Sequence, residues 1–325
     1  MARTARWLMG AIGGAAVLFA VGPRTRARLD GSPPTVPQTP KAVADSVEAR
    51  ERQIEGIRPD TEARVTWGAE PGARTPYAFV YLHGFSASRR ETAPVTENVA
   101  RTFGANVFEA RFTGHGRSGD ALGRATAEEW LADTREAVAI AQVLGEKVVV
   151  IGCSTGATLA MLIAAHDRPA VDAYVLLSPN FGPKSAASGL LLWPWAERWV
   201  PLVVGSERSW EPEVPEQGKY WTTRYPVAAL FPMMAVVQSA RTAPFEKIVE
   251  PVLVLHSSQD EVVDPLAIEA AFMRMSAAKP RRREMVSGPG NNHVIAGDVL
   301  SAGRTKQVTD RIITFLAESG LKPSG

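Results

Sequence analysis

Residues 145–166 read GEKVVVIGCSTGATLAMLIAAH, and two elements meet inside that stretch. The aliphatic run 147–152 has the composition of a strand buried on both faces. Gly152-Cys153-Ser154-Thr155-Gly156 follows as a tight turn with a serine at its apex, and the small-residue stretch 155–166 reads as a helix. A strained strand-to-helix turn lifts the Ser154 hydroxyl out of the sheet and sets its backbone at a helix N-terminus. Glycine is needed at 152 and 156 because backbone and helix approach too closely there for a side chain. A bare G-x-S-x-G recurs by chance, with an incidental serine on a structural turn as the plain alternative. Between a buried strand and a small-residue helix the pattern is much more specific.

On either side of this turn, apolar runs alternate with helical patterns. Strands are expected at 64–67, 77–82, 105–111, 147–152, 173–177, 252–256 and 283–286, and helices at 127–144, 155–166, 265–275 and 305–318. Ser88-Arg89-Arg90-Glu91 reads as the polar start of a further helix. Strands separated by helices mean an α/β fold, a mostly parallel sheet with helices on both faces. The 325 residues can form one large domain of this class. A formal net charge of +2 with acids and bases interspersed gives no nucleic-acid surface, and Arg281-Arg282-Arg283 reads as a solvated strand entrance. Cys153 is the single cysteine, which excludes an intrachain disulfide and a cysteine-based zinc site. No cofactor and no metal are expected.

The N-terminal 60 residues have a different composition. Residues 7–22, WLMGAIGGAAVLFAVG, carry no charge and follow Arg3 and Arg6. This run is short of the roughly 20 residues a spanning helix needs, a deficit that tilt and flanking arginines offset. It also has the length of a signal-peptide apolar region, but Pro23 after Ala20-Val21-Gly22 makes a poor cleavage site. The expectation for residues 1–30 is therefore a membrane anchor, a transmembrane helix left uncleaved, over a signal segment. A secreted or periplasmic protein is the alternative, and a buried N-terminal helix the third possibility. Arg24, Arg26 and Arg28 balance the basic flank, so the membrane face is undetermined. Residues 31–40, GSPPTVPQTP, form an extended spacer, and 41–57 a charged, solvent-facing helix. Residues 31–60 thus join the anchor to a folded domain at 61–320.

In open α/β sheets ligands sit beyond the carboxyl ends of the strands, and every candidate group lies at one. A serine hydroxyl is a weak nucleophile that needs a base, an orienting acid and donors for the oxyanion. Of the five histidines, His256 falls inside a strand and His166 ends a helix, where it suits the macrodipole. His83 and His115 sit in glycine-rich turns. His293, in GPGNNH (288–293) between the last strand and last helix, is the candidate base. Asp260 is the first carboxylate of SSQDEVVDP (257–265) and the candidate acid. Asp264, before Pro265, has the pattern of a helix N-cap and is the alternative. The backbone N–H groups of Phe85 and Thr155 are the candidate oxyanion donors. Strand alternation points Cys153 away from the site.

HGFSAS (83–88), TGHGRSG (113–119), GCSTG (152–156), SSQDEVVDP (257–265) and NNHVIAGD (291–298) together resemble the α/β-hydrolase superfamily, most closely its carboxylesterase and monoacylglycerol-lipase-like branch. The resemblance spans residues 64–316. It implies an eight-stranded, mostly parallel sheet with a lid inserted after the sixth strand. It carries Ser154, Asp260 and His293 over as a triad, with Phe85 and Thr155 as oxyanion donors. The implied partner is a small-molecule acyl ester, and the implied reaction is ester hydrolysis through an acyl-enzyme on Ser154. An acyltransferase or thioesterase using the same triad is the alternative, and a non-catalytic, membrane-tethered binding protein a further one.

The expected lid, residues 181–248, holds Trp193, Trp195, Trp199, Trp210 and Trp221, five of the eight tryptophans. Trp193, Trp195 and Trp199 are taken as candidate substrate contacts, a greasy wall for an acyl chain. The competing reading is that they only pack the lid onto the domain.

Overall fold

The continuous apolar runs become strands packed on two buried faces. The computed structural model describes residues 19–287 and 290–323. In chain order the elements are α1 (Pro40–Gln53), β1 (Arg64–Thr66), β2 (Thr75–Leu82), α2 (Val95–Thr102), β3 (Asn106–Glu109), α3 (Gly119–Arg124), α4 (Ala127–Leu144), β4 (Gly145–Cys153), α5 (Ser154–His166) and β5 (Ala173–Leu177). An insertion follows, with α6 (Ala196–Val204), β6 (Glu207–Ser209), α7 (Pro215–Tyr220), β7 (Arg224–Pro226) and α8 (Leu230–Thr242). The chain then completes the sheet with β8 (Val252–His256), α9 (Pro265–Arg274), β9 (Arg281–Met285) and α10 (Ala302–Glu318).

The main sheet runs β1-β3-β2-β4-β5-β8-β9, with β1 antiparallel to β3 and every other neighbour parallel. Along β2, β4, β5 and β8 the side chains alternate. Val80, Val150, Leu176 and Val254 join one core with α4, α5 and the insertion, while Phe79, Ile151, Val175 and Leu255 join a second core with α2 and α10. Burial on both faces explains why these strands read as continuous apolar runs. Helix α4 starts on a capping box in which Thr126 and Glu129 satisfy each other's backbone N–H.

This is the α/β-hydrolase architecture, with one correction to its expected strand count. Among the described residues the sheet has seven strands, not eight, and the insertion follows its fifth strand in chain order rather than its sixth. The seven are those read from the apolar runs. The segment before β1 is the charged helix α1, which packs Val43 and Val47 inward against β1 and α4, so no strand is added beyond β1. Ser88-Arg89-Arg90-Glu91 starts no helix either. Ser88, Arg89 and Glu91 are buried in a turn, with Arg89 paired to Asp60 and Glu62.

The expected transmembrane helix and membrane-anchored location are also corrected. Among the described residues no helix is long and apolar enough to cross a membrane. Most of the 7–22 run lies outside the described residues. From Pro23 onward the chain runs along the domain without regular structure. Pro23 C=O accepts from Trp195 N–H at 2.8 Å, Arg28 N–H donates to Glu128 at 2.9 Å, and Ala27 and Leu29 pack on the core. These contacts hold 23–29 to the domain surface.

Candidate active site

The serine turn is built by exclusion. Ser154 has φ +49°, in the left-handed region where a non-glycine residue costs of order 1–3 kcal/mol. A Cβ on Gly156 would lie 2.2 Å from Leu82 O and 2.5 Å from His83 O; one on Gly152 would lie 2.7 Å from Ala157 Cα. The turn is therefore wedged against the end of β2. The loop leaving β2 lies on the serine itself, since a Cβ on Gly84 would come within 3.1 Å of Ser154 Cβ.

His293 and Asp260 reach this point from other strand ends. His293 Nε2 is 3.0 Å from Ser154 Oγ, and His293 Nδ1 is 2.8 Å from Asp260 Oδ2. An ionised carboxylate only accepts, so Nδ1 carries the proton and Nε2 accepts from the Ser154 hydroxyl. The other Asp260 oxygen accepts from the N–H groups of Val262 and Val263 at 2.8 and 2.9 Å, and the residue is completely buried. Asp264 faces elsewhere and caps α9 by accepting from Leu266 N–H at 2.9 Å. Thr155 occupies the first turn of α5, where backbone N–H groups lack intrahelical acceptors. Phe85 lies in the loop against the serine, its ring edge-on to His115, Trp130 and Tyr225.

The remaining histidines have other surroundings. His83 Nδ1–H donates to Gly84 C=O at 2.9 Å, and its Nε2 accepts from Phe112 N–H at 3.1 Å. Burial brings its pKa down to about 4, and burial beside His83 pushes His115 well below the ordinary imidazole value. Both are neutral at pH 7 and shape the turn. His256 is buried in β8 beside Arg283, and His166 ends α5. Cys153 is buried in the core on the α2 and α10 face.

Two residues at the site were missed in the sequence. Asn180, three residues beyond β5, donates its N–H to Ser154 C=O at 3.0 Å and accepts from Thr158 Oγ1 on its own carbonyl at 2.7 Å. Being the first amide side chain off β5 was its one available signal. Glu91 is buried beside Gly84, and its place in a polar run concealed it.

A cavity of about 660 Å³ opens over the serine. Its floor is Phe85, Glu91, Ser154, Asn180 and His293. Its roof, from the insertion, includes Leu191, Trp199, Val200, Val227, Leu230 and Met233. Of the three tryptophans expected to touch substrate, only Trp199 lines this space; Trp210 and Trp221 line it too. Trp193 is half-exposed and edge-on to Trp199. Trp195, with φ +60°, turns its backbone to Pro23 and its ring to Arg198. The backbone at the start of α6 faces these two rings away from the cavity. Among the described residues no cluster of three or more His, Cys, Asp or Glu could hold a metal ion.

Comparison with known proteins bears on the family and the fold. Residues 75–298 match the family model described as serine aminopeptidase, S33. The thermostable monoacylglycerol lipase of Bacillus sp. (strain H-257) is 27% identical over 233 residues, covering 71% of this chain and 89% of that protein. Among solved structures, one reported for the metagenome-derived lipolytic enzymes LipS and LipT superposes with a TM-score of 0.67 at 18% identity, over 81% of this chain and 99% of that one. The monoacylglycerol lipase of Paleococcus ferrophilus superposes with a TM-score of 0.58 at 15% identity, over 79% and 98%. At those identities the two structures bear on the fold alone.

Proposed function

The chain belongs to the serine aminopeptidase S33 family of α/β-hydrolases, and from that premise we propose that it is a serine hydrolase cleaving carboxylic esters. The observation that carries this reading is the unbroken relay Asp260–His293–Ser154, at 2.8 and 3.0 Å, on the floor of an apolar cavity. Ser154 Oγ attacks the ester carbonyl as its proton passes to His293 Nε2. Asp260 holds the imidazole tautomer and stabilises the imidazolium. The N–H groups of Phe85 and Thr155 receive the developing oxyanion. Collapse of the tetrahedral intermediate expels the alcohol, which takes its proton from His293. Water then repeats the sequence on the acyl-enzyme and frees the acid.

The roof carries Arg208, Glu211, Glu213 and Gln217 at one part, but its lining is mostly apolar, which favours an acyl chain over a peptide. The cavity falls within the roughly 300–1,000 Å³ typical of small-molecule sites. The relationship to a monoacylglycerol lipase supports the same choice. The test is a p-nitrophenyl ester series from short to long acyl chains, with an aminoacyl amide beside it. Wild-type protein should hydrolyse the esters in preference to the amide and take a fluorophosphonate label. Ser154→Ala should lose the label and drop kcat by about 10⁴-fold or more. Wild-type protein that cleaves no ester and takes no label would sink the proposal.

A further inference from the structure

Glu91 is 2% exposed, 8 residues beyond His83, on the floor of the cavity. A carboxyl group is rarely buried this completely unless its oxygens are occupied. Its Oε2 accepts from Gly84 N–H at 2.6 Å and from the Tyr81 hydroxyl at 3.1 Å. Tyr81 is itself buried on β2. Burial pushes the Glu91 carboxyl up, while the Gly84 N–H and nearby His293 pull it down. Asp260, and not Glu91, is the carboxylate bonded to His293.

What this contact restrains is a glycine packed between Glu91 and the serine. A Cβ on Gly84 would sit 2.6 Å from Glu91 Oε1 and 3.1 Å from Ser154 Cβ. Glycine has wide backbone freedom, so the turn needs restraint from outside it. The peptide after Gly84 is held through its carbonyl, which accepts from His83 Nδ1–H at 2.9 Å and Ala87 N–H at 3.3 Å. The peptide before Gly84 is held through its N–H, by Glu91. With both planes pinned, the Phe85 N–H has one direction, because a trans peptide sets N–H opposite to C=O.

We propose that Glu91 is a positioning residue of this site: by capturing the Gly84 N–H, anchored by the Tyr81 hydroxyl, it fixes the Gly84–Phe85 turn and so aims the Phe85 N–H at the oxyanion. This rests on the serine-esterase reading above. The contact is made before substrate arrives, and its effect is felt where charge develops, so it acts on the transition state more than on ground-state binding.

The test compares the full chain as wild type, Glu91→Gln and Glu91→Ala on a medium-chain p-nitrophenyl ester, with kcat and KM measured separately and thermal midpoints recorded. Glutamine keeps an acceptor oxygen at the same reach; alanine leaves the Gly84 N–H unpaired. Glu91→Ala should lower kcat by about 10–100-fold, within the effect of losing an oxyanion donor, and leave KM within about twofold. Glu91→Gln should recover most of that loss, to within about fivefold of wild type. If Glu91→Ala does not fold, Tyr81→Phe removes only the anchor, and a kcat lowered by about threefold or more at constant KM supports the proposal. An unchanged kcat in the folded variant overturns it, as does a loss confined to KM or a Glu91→Gln as impaired as Glu91→Ala. These outcomes are read only against a wild type that is active and takes the fluorophosphonate label. Without that activity the esterase reading fails; with it, an active Glu91→Ala defeats the Glu91 role alone.

Discussion

The floor and the roof of the cavity are made differently. The floor consists of turns at the ends of β2, β4, β5, β8 and β9, closely packed where the serine turn meets its neighbours. Gly156 is pressed on the carbonyls of β2, Asp260 has both oxygens engaged, and Gly84 touches Ser154. The roof is a chain of short pieces: a 3₁₀ turn at Ala186–Leu192, α6 with Pro201 inside it, and the two-stranded β6–β7 sheet. Helix α6 ends with Leu202, Val203 and Val204 at 85%, 72% and 60% exposure. Roof and floor meet through Thr222 N–H to Ser86 C=O at 2.7 Å, Lys184 Nζ to Asp260 C=O at 2.7 Å, and Phe85 against Tyr225. The groups proposed to do chemistry stand on the rigid part, where sub-ångström placement is held by packing. The shape offered to an acyl chain stands on the part that tolerates rearrangement.

The largest effect should come from within the floor, between two carboxylates four residues apart. Asp260→Asn should lower kcat by about 10⁴-fold, because an amide at that position stabilises the wrong imidazole tautomer. Asp264→Ala should cost about 1 kcal/mol through its lost helix cap and leave kcat nearly unchanged. Ester kinetics and a denaturant melt on both variants separate the roles. Equal losses of kcat would remove the distinction between relay and cap.

A second pair sets floor against roof directly. Alanine at Gly156 would drive a methyl into two backbone carbonyls, which cannot yield as a side chain would. It should cost at least about 1–3 kcal/mol and lower activity by about 10²-fold through displacement of the serine. Alanine at Gly189, in the 3₁₀ turn of the roof, meets nothing within 4 Å and should change stability by less than about 0.5 kcal/mol. Thermal midpoints of the two variants measure how much more tightly the floor is packed.

That asymmetry also decided what the sequence could disclose. The floor follows from local rules: apolar runs end at strand ends, glycine is forced where backbone meets backbone, and Asp264 before Pro265 reads as a cap. Ser154, His293 and Asp260 were legible because each stands at a predictable place in a strand–helix alternation. Glu91 was hidden since its partner Gly84 is fixed by a turn, and no periodicity marks a turn's interior. In the roof, Trp193, Trp195 and Trp199 look alike in composition. The left-handed backbone at Trp195, whose N–H reaches Pro23 C=O while its ring meets Arg198 one turn along, separates their surroundings. The strand count erred because the expected eighth strand came from likeness, while the residues before β1 carry a helical charge pattern that the structure follows.

The smallest expected effect lies inside the roof. Trp199 lines the cavity, and its indole N–H is tied to Pro194 C=O at 3.0 Å, so its ring is held as a wall. Trp199→Ala removes apolar surface an acyl chain would cover, at about 25 cal/mol per Å² of lost burial. A loss of about 1–2 kcal/mol in kcat/KM is expected for long-chain esters, shrinking as the chain shortens past the ring's reach. Trp193 stands half-exposed behind it, touching Trp199 and not the cavity. Trp193→Ala should leave kcat/KM within about twofold at every chain length. A chain-length series on both variants therefore tests whether the roof reads the acyl chain. Equal, length-independent losses would mean that the tryptophans only hold the insertion on the domain, and that acyl selection lies in the floor.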